Sequence, residues 1–328
     1  GMQLLDVPNR CWSDEVLGKL GIDKAYLGKV YESPEVTGHI SAQAAALTGL
    51  SSKTLVVGGA GDNAAAAVGT GVVADGRAFT TIGTSGVVFA HTDKLAIDPK
   101  GRVHTFCCAV PGAWHVMGVT QAAGLSLKWF REQFCHAEME TAAGMGVDPY
   151  DLMNQEVAKS PIGANRLFYL PYLMGERTPH LDPDCRGVFF GLSAMHETRD
   201  LMRAVMEGVT YSLKDCLNVL GEMGVQPAQM LATGGGGRSP LWRQMLADVF
   251  GCPVCTTQSK EGPALGVAIL AGVGAGLYPS VREACDSMIH LGGEQPPIPE
   301  NQPVYAAYYA QFRQLYPDLQ AAFKRLAQ

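Results

Sequence analysis

The sequence has few charged residues and no excess of positive ones. Charged side chains make up 17% of the 328 residues, and 31 acidic residues outnumber 25 basic ones, giving a formal net charge of −6. We therefore expect no nucleic-acid partner, because a phosphate backbone is bound by a basic surface. Hydrophobic residues make up 47% of the chain, which is enough for a sizeable core and about two domains.

The sequence also lacks a hydrophobic run of membrane-spanning length and a visible signal peptide. Its nine cysteines follow no framework spacing. Together these features favour a reduced, cytoplasmic protein without a membrane partner. The CxxC spacing at Cys252 and Cys255 has no second CxxC and no nearby histidine pair. We interpret it as part of a buried strand rather than a zinc or redox site.

Glycine, in contrast, is abundant. Nine of the 39 glycines cluster at three junctions between predicted elements, residues 58–61, 83–86 and 234–237. Because glycine has no side chain, it lets a backbone approach a ligand closely. The three clusters therefore predict a ligand-binding region.

Hydrophobic periodicity and capping residues predict an alternation of strands and helices. Loops and short helices are expected up to about residue 52, and an irregular segment is expected between residues 135 and 198. This order suits an α/β fold with a mixed sheet flanked by helices, and it is similar to that of the ribonuclease-H-like domain of actin, the Hsp70 chaperones and sugar kinases. The predicted strands are 54–57, 78–82, 87–91, 114–118, 229–233 and 253–257, and the predicted helices are 62–68, 121–134, 199–220, 239–250, 263–273 and 305–325, the last broken near Pro317.

The turn at residues 83–86 joins two of the predicted strands. Its backbone N–H groups and the hydroxyls of Thr84 and Ser85 could contact a phosphate. The same residues also suit an ordinary hairpin turn, and the turn alone leaves both interpretations open.

The four glycines at 234–237 are more than a chain reversal requires. They lie between a predicted strand and a predicted helix. Ser239 is expected to be the N-cap of this helix, Pro240 its first residue, and Gly251 the residue that follows its end. The loop is neither a Walker A loop nor a GxGxxG loop. Since it follows a strand of an open sheet and opens a helix, we favour a flat, negatively charged ligand there over a loose surface junction.

Asp62 directly follows the first glycine cluster. An aspartate that begins a helix is commonly an N-cap. A carboxylate near nucleotide phosphates could instead accept the proton of an attacking hydroxyl. The two roles are compatible, and this stretch alone leaves both open.

Six stretches of the sequence occur in the order GGAGDNAAAAVGTG, TTIGTSG, GERTPHLDPDCRGVFFGLS, DLMRAVMEGV, ATGGGGRSPLWRQMLADVFGCPV and EGPALGVAILAG. Taken together, they resemble the motifs of the FGGY carbohydrate kinases, and among them those of the xylulokinases, for which the form GERTPH is typical. The resemblance runs from about Leu4 to the end of the chain. It implies a ribonuclease-H-like fold with two domains, the first at 1–75 with the catalytic aspartate and the nucleotide-binding second at 76–328.

The resemblance implies ATP-dependent phosphorylation of a ketopentose, D-xylulose to xylulose 5-phosphate, with ATP and Mg²⁺ as cofactors. Asp62 would be the general base, and Asn63 would help to bind the sugar. For Lys128 a solvated helix face is the alternative, and for Glu176 and Arg177 an internal ion pair is the alternative to a ligand contact. The residues that would bind ATP are Gly83, Thr84, Ser85, Gly124, Lys128, Gly235, Gly236 and Ser239.

One motif of the family, the DxGT phosphate loop, does not occur in the sequence. The resemblance therefore implies that the first domain is incomplete, and that this chain alone binds nucleotide weakly and phosphorylates no pentulose. The alternatives are a kinase for another pentulose or a polyol, and a non-catalytic nucleotide-binding fragment. The partners expected are a small-molecule sugar and ATP, and a homodimer is the assembly considered.

Overall fold

The computed structural model describes residues 3–259 and 261–328. Short 3₁₀ turns lie at Lys24–Tyr26, Ala164–Arg166 and Gly236–Arg238. The strands are β1 (Leu5–Asp6), β2 (Cys11–Trp12), β3 (Val36–His39), β4 (Leu55–Val57), β5 (Arg77–Ile82), β6 (Gly86–Thr92), β7 (His104–Cys107), β8 (Trp114–Thr120), β9 (Phe168–Leu170), β10 (Val188–Phe190), β11 (Gln229–Thr233), β12 (Val254–Thr257) and β13 (Leu291–Gln295). The helices are α1 (Asp14–Leu20), α2 (Ala42–Thr48), α3 (Asp62–Gly69), α4 (Gly124–Phe134), α5 (His136–Met145), α6 (Pro149–Val157), α7 (Thr198–Glu222), α8 (Pro240–Phe250), α9 (Pro263–Gly274), α10 (Val281–Met288) and α11 (Asn301–Leu326).

The centre of the molecule is a mixed seven-stranded sheet with the order β13-β12-β11-β5-β6-β8-β7. Strands β5, β11 and β12 run parallel, and the remaining pairs are antiparallel. The carboxyl ends of the three parallel strands therefore meet at one edge of the sheet, where open α/β sheets bind ligands. The predicted α/β class with a mixed sheet and flanking helices is confirmed.

Alternation along the strands sends apolar side chains to both faces of this sheet. On one face, Ala78 and Ile82 of β5 pack in the main core with the long, largely buried helix α7. On the other face, Phe79 stacks on Phe89 with ring centroids 4.6 Å apart, and Ala67 of α3 packs against them. Helix α3 is thereby fixed on the sheet, and its first residue lies at the ligand-binding edge.

Helices α3 and α9 contact each other backbone to backbone. A Cβ atom at Gly69 would lie 1.8 Å from the carbonyl oxygen of Gly262, and one at Gly266 would lie 1.9 Å from that of Ala65. Only glycine permits this approach. The contact fixes α3 relative to the start of α9.

Three expectations about secondary structure are wrong. The first stretch, expected to hold only loops and short helices, also contains the short strands β1, β2 and β3. Helix α11 continues through Pro317 without a break, because Phe312, Tyr316 and Phe323 anchor it to the main core on both sides of the proline. The segment expected to be irregular contains helices α5 and α6 and the hairpin β9–β10. These elements are short, and α5 has only one buried residue, so their hydrophobic pattern is weak. In the described ranges, no helix is both long and apolar enough to cross a membrane.

Candidate active site

A cavity of about 610 Å³ opens at the edge where β5, β11 and β12 end. The starts of α3 and α9 form one side, and the glycine loop after β11 forms another. The N-termini of these helices favour negative charge in the space between them. The lining residues are Asp62, Asn63, Ala66, Thr70, Phe79, Thr81, Ala232, Thr233, Gly234, Gly235, Gly237, Arg238, Arg243, Thr256, Thr257, Ser259, Gly262 and Pro263.

Asp62 is the first residue of α3, not its N-cap. Gly61 occupies the N-cap position with extended backbone angles, so the N-cap interpretation of Asp62 is wrong. The Asp62 carboxylate is exposed, and its Oδ1 atom accepts a hydrogen bond of 2.9 Å from the Asn63 backbone N–H. The geometry leaves the other carboxylate oxygen without a hydrogen-bond partner among the described residues. A carboxylate in this position can accept a proton from a ligand in the cavity.

Two threonine hydroxyls meet at the ligand-binding edge of the sheet and line the cavity. Thr81 and Thr233 are paired across the parallel strands β5 and β11, and their Oγ1 atoms lie 2.7 Å apart. The Thr233 hydroxyl is also 3.3 Å from the carbonyl oxygen of Thr80, to which it can donate. The sequence did not single out either residue, although both are hydroxyl residues at strand ends beside a glycine cluster.

The turn at Gly83, Thr84 and Ser85 packs against the start of α4. The N–H of Gly124 donates to the carbonyl oxygen of Gly83 at 2.7 Å, and the N–H of Ala123 donates to that of Thr84 at 3.0 Å. A Cβ atom at Gly124 would lie 2.5 Å from the carbonyl oxygen of Gly83. The turn and the helix start are thus one unit next to the cavity edge, although none of these residues lines the cavity itself.

Lys128 is exposed on α4 and does not line the cavity. Its Nζ atom lies 3.8 Å from the Glu132 carboxylate, one helical turn along. This geometry is that of a solvated helix face.

The glycine loop contributes Gly234, Gly235 and Gly237 to the cavity lining. A Cβ atom at Gly235 would meet nothing within 4 Å, whereas one at Gly236 would lie 2.5 Å from Cγ2 of Ile82. Gly236 therefore faces the core of the molecule rather than the open cavity.

Ser239 is the N-cap of α8, as predicted. Its Oγ atom accepts a hydrogen bond from the Trp242 N–H at 3.2 Å and donates one to Oδ1 of Asn154 at 2.9 Å. Pro240 is the first helical residue, and Gly251 ends the helix in the left-handed conformation. The Ser239 side chain is thus engaged in holding the helix that carries the loop.

Glu176 of the GERTPH segment is buried and makes no ion pair with Arg177. Its carboxylate accepts hydrogen bonds from the Thr120 and Ser212 hydroxyls and from the backbone N–H groups of Gln121 and Arg177. Burial nevertheless raises the pKa of Glu176 to about 7. The Arg177 guanidinium lies on the surface, 2.7 Å from Nε2 of His104. Glu176 therefore ties the end of β8 to α7, and the ion-pair alternative is wrong.

The two cysteines of the CxxC spacing lie in and beside β12. Cys255 is buried and Cys252 is half-buried against the core, and burial raises the pKa of both thiols to about 11. In the part of the chain that the structure describes, no group of three or more His, Cys, Asp or Glu residues is arranged to hold a metal ion.

Comparison with known proteins places this chain in a family. The N-terminal domain of the FGGY family of carbohydrate kinases matches residues 1–69, and the C-terminal domain of that family matches residues 78–275. The xylulose kinase of Bacillus subtilis (strain 168) is 35% identical over 327 residues, which cover 99% of this chain and 64% of that protein. The chain thus spans less than two thirds of the length of this relative.

Solved structures agree with the sequence relatives. A xyloylose kinase from Brucella ovis superimposes with a TM-score of 0.88 and 33% identity, over 98% of this chain and 64% of that one. A gluconate kinase from Lactobacillus acidophilus gives a TM-score of 0.89 and 26% identity, over 98% of this chain and 63% of that one. The predicted actin- and Hsp70-like fold is confirmed, and the chain belongs to the FGGY family of carbohydrate kinases.

Proposed function

We propose that this chain carries the general base and the nucleotide site of an ATP-dependent sugar kinase whose acceptor is D-xylulose. The observation that supports this most strongly is the single cavity that contains both Asp62 and the glycine loop. Residues 1–75 would supply the base, and residues 76–328 would form the nucleotide-binding domain. The similarity to xylulose kinases supports the choice of acceptor.

In this proposal the acceptor hydroxyl lies against Asp62. The hydroxyl proton passes to the Asp62 carboxylate while the oxygen forms a bond to the γ-phosphorus, and the bond from that phosphorus to the bridging oxygen breaks to release ADP. Mg²⁺ would arrive with ATP as part of the substrate and neutralise phosphate charge. Asn63, which follows Asp62 in the cavity lining, would orient the sugar.

The nucleotide would lie along the carboxyl ends of β5 and β11. The nucleoside would rest on the loop at Gly235, with Gly236 and Ser239 holding the loop against the core and helix α8. The phosphates would extend toward the turn at Gly83, Thr84 and Ser85, which Gly124 holds in place. The exposed position of Lys128 gives it no part in this arrangement.

The similarity to a gluconate kinase supports a second acceptor, a linear sugar acid. Sugar-dependent release of ADP by the complete gene product decides between the two. We expect the highest kcat/KM with D-xylulose in a panel that also contains D-ribulose, D-gluconate and glycerol, with a reaction lacking sugar as the control. A higher kcat/KM with gluconate would favour the second acceptor, and ADP release no faster than in the control with every sugar would refute the kinase proposal.

A further inference from the structure

Arg243 lines the cavity, and its guanidinium has no carboxylate partner among the residues that the structure describes. It lies in the first turns of α8, next to the glycine loop. In the described part of the chain no acidic group lies within ion-pair distance of its guanidinium, and burial lowers its pKa from the usual value. A half-buried cation of this kind is stabilised by an electron-rich ligand.

Three neutral oxygens hold the guanidinium. Its Nε donates to Oε1 of Gln295 at 2.7 Å, and its Nη1 donates to the carbonyl oxygens of Gly237 and Arg238, each at 2.9 Å. A guanidinium has five N–H groups, so the two on Nη2 have no acceptor among the described residues. Arg243 therefore lines the cavity with two N–H groups that are available to a ligand.

The same contacts hold the glycine loop in shape. Gly237 and Arg238 belong to the 3₁₀ turn of the glycine loop, and both line the cavity. Only the planar fork of arginine can donate to two loop carbonyls and a third acceptor at once, and a lysine ammonium cannot reproduce that geometry. Arg243 thus fixes a loop whose glycines would otherwise leave its backbone free to move.

Gln295 supports Arg243 from the opposite side. It is the last residue of the edge strand β13, and its Nε2 donates to the carbonyl oxygen of Pro240 at 2.8 Å. The strand end, the start of α8 and the loop are therefore connected through one arginine. Such a group is pre-organised, because its orientation is fixed before a ligand binds.

We propose that Arg243 recognises the nucleotide, fixing the glycine loop and donating its free Nη2 hydrogens to an acceptor atom on the nucleoside half of a purine nucleoside triphosphate. This inference rests on the proposed function for the identity of the ligand. It adds a residue that was not among those predicted from the sequence to bind ATP. The role is in binding and not in the chemical step, because the proton transfer assigned to Asp62 does not require it.

The experiment compares ATP binding by calorimetry and steady-state kinetics for the complete gene product and three variants. Arg243→Lys keeps the charge but loses the fork, and we expect its Kd and KM for ATP to rise about tenfold or more, with the KM for the sugar within about twofold of wild type. Gln295→Met removes the acceptor of Nε together with the hydrogen bond from Gln295 to the carbonyl oxygen of Pro240, and a rise of about threefold is expected. Gln244→Met is the matched control, since its amide donates to Pro296 at the same junction but Gln244 does not line the cavity.

Wild-type affinity for ATP in Arg243→Lys would overturn the inference while leaving the kinase proposal intact. If Arg243→Lys fails to fold, unchanged ATP affinity in Gln295→Met overturns it instead. If ATP affinity falls in the variants but the wild-type protein phosphorylates no sugar, the inference about Arg243 is supported and the proposed kinase activity is refuted. A wild-type protein that binds no ATP would refute both.

Discussion

The carboxylate of Asp62 lies at the start of a helix without serving as its cap. Removing its charge should therefore affect chemistry more than folding. We expect Asp62→Asn in the complete gene product to lower kcat by about 10²- to 10⁴-fold, the usual effect of losing a general base. The Kd for ATP and the thermal midpoint should stay close to wild type, because the N-cap position belongs to Gly61. Unchanged sugar-dependent ADP release would remove Asp62 from the mechanism.

Gly235 and Gly236 are neighbours with opposite surroundings, and substitutions should separate their roles. A Cβ atom at Gly236 would come within 2.8 Å of two Ile82 carbons, so Gly236→Val should lower the thermal midpoint as well as ATP affinity. A Cβ atom at Gly235 meets nothing within 4 Å, so Gly235→Val should fold normally and weaken ATP alone. Calorimetry and thermal melts of both variants measure the difference. Equal losses of thermal stability in Gly235→Val and Gly236→Val would contradict the different surroundings described for the two glycines.

Glu176 makes stability depend on pH. Burial raises its folded-state pKa to about 7, above the ordinary value of 4.5 that the unfolded chain retains. Between these two values the folded state binds more protons, so stability is greatest below the unfolded pKa and falls as pH rises toward 7.

We therefore expect Glu176 to contribute a decrease of about 1–3 kcal/mol in the free energy of unfolding between about pH 4.5 and pH 8, measured as the difference between the urea-denaturation profiles of wild type and Glu176→Gln. Glu176→Gln cannot ionise and should lack this component of the slope. Parallel pH profiles for the two proteins would show that Glu176 does not titrate in this range.

At the scale of elements, the crossing of α3 and α9 determines where Asp62 lies relative to the opposite wall of the cavity. Gly69→Ala and Gly266→Ala would each place a methyl group within 2 Å of a carbonyl oxygen of the other helix. We expect each to cost about 1–3 kcal/mol or more of unfolding free energy, and to lower kcat in any protein that still folds. Gly144→Ala in α5 is the control, because its Cβ meets nothing within 4 Å, and it should be neutral or stabilising. Wild-type stability of both α3–α9 variants would contradict the close approach.

At the scale of the whole molecule, the cavity joins segments from both family domains, residues 62–66 and residues 79–263. A ligand that bridges them should stabilise the folded state, because it binds that state and not the unfolded chain. We expect MgATP at about 100 times its Kd to add about 2.7 kcal/mol to the free energy of unfolding. Differential scanning fluorimetry measures this, with Asp62→Asn expected to show the same shift and Arg243→Lys a smaller one. No shift with wild type would argue against a nucleotide in this cavity.

The sequence by itself determined the local elements, the α/β class and the family. Periodicity and caps were sufficient for β11, whose bounds match the prediction, and for α8, whose N-cap, first proline and terminal glycine are as predicted. These features depend on residues a few positions apart, and the local physics of a strand or a cap acts over that range. The family motifs are likewise contiguous in the chain.

Only the tertiary structure decided which of these residues meet. Thr81 contacts Thr233, Arg243 contacts Gln295, and Gly69 contacts Gly262, although many positions separate each pair. The same is true of Pro317, where packing of side chains on the core outweighs the loss of one backbone donor. A local pattern specifies the face that a residue presents, but the partner on that face is fixed when the sheet assembles, and the chemistry of the cavity depends on those partners.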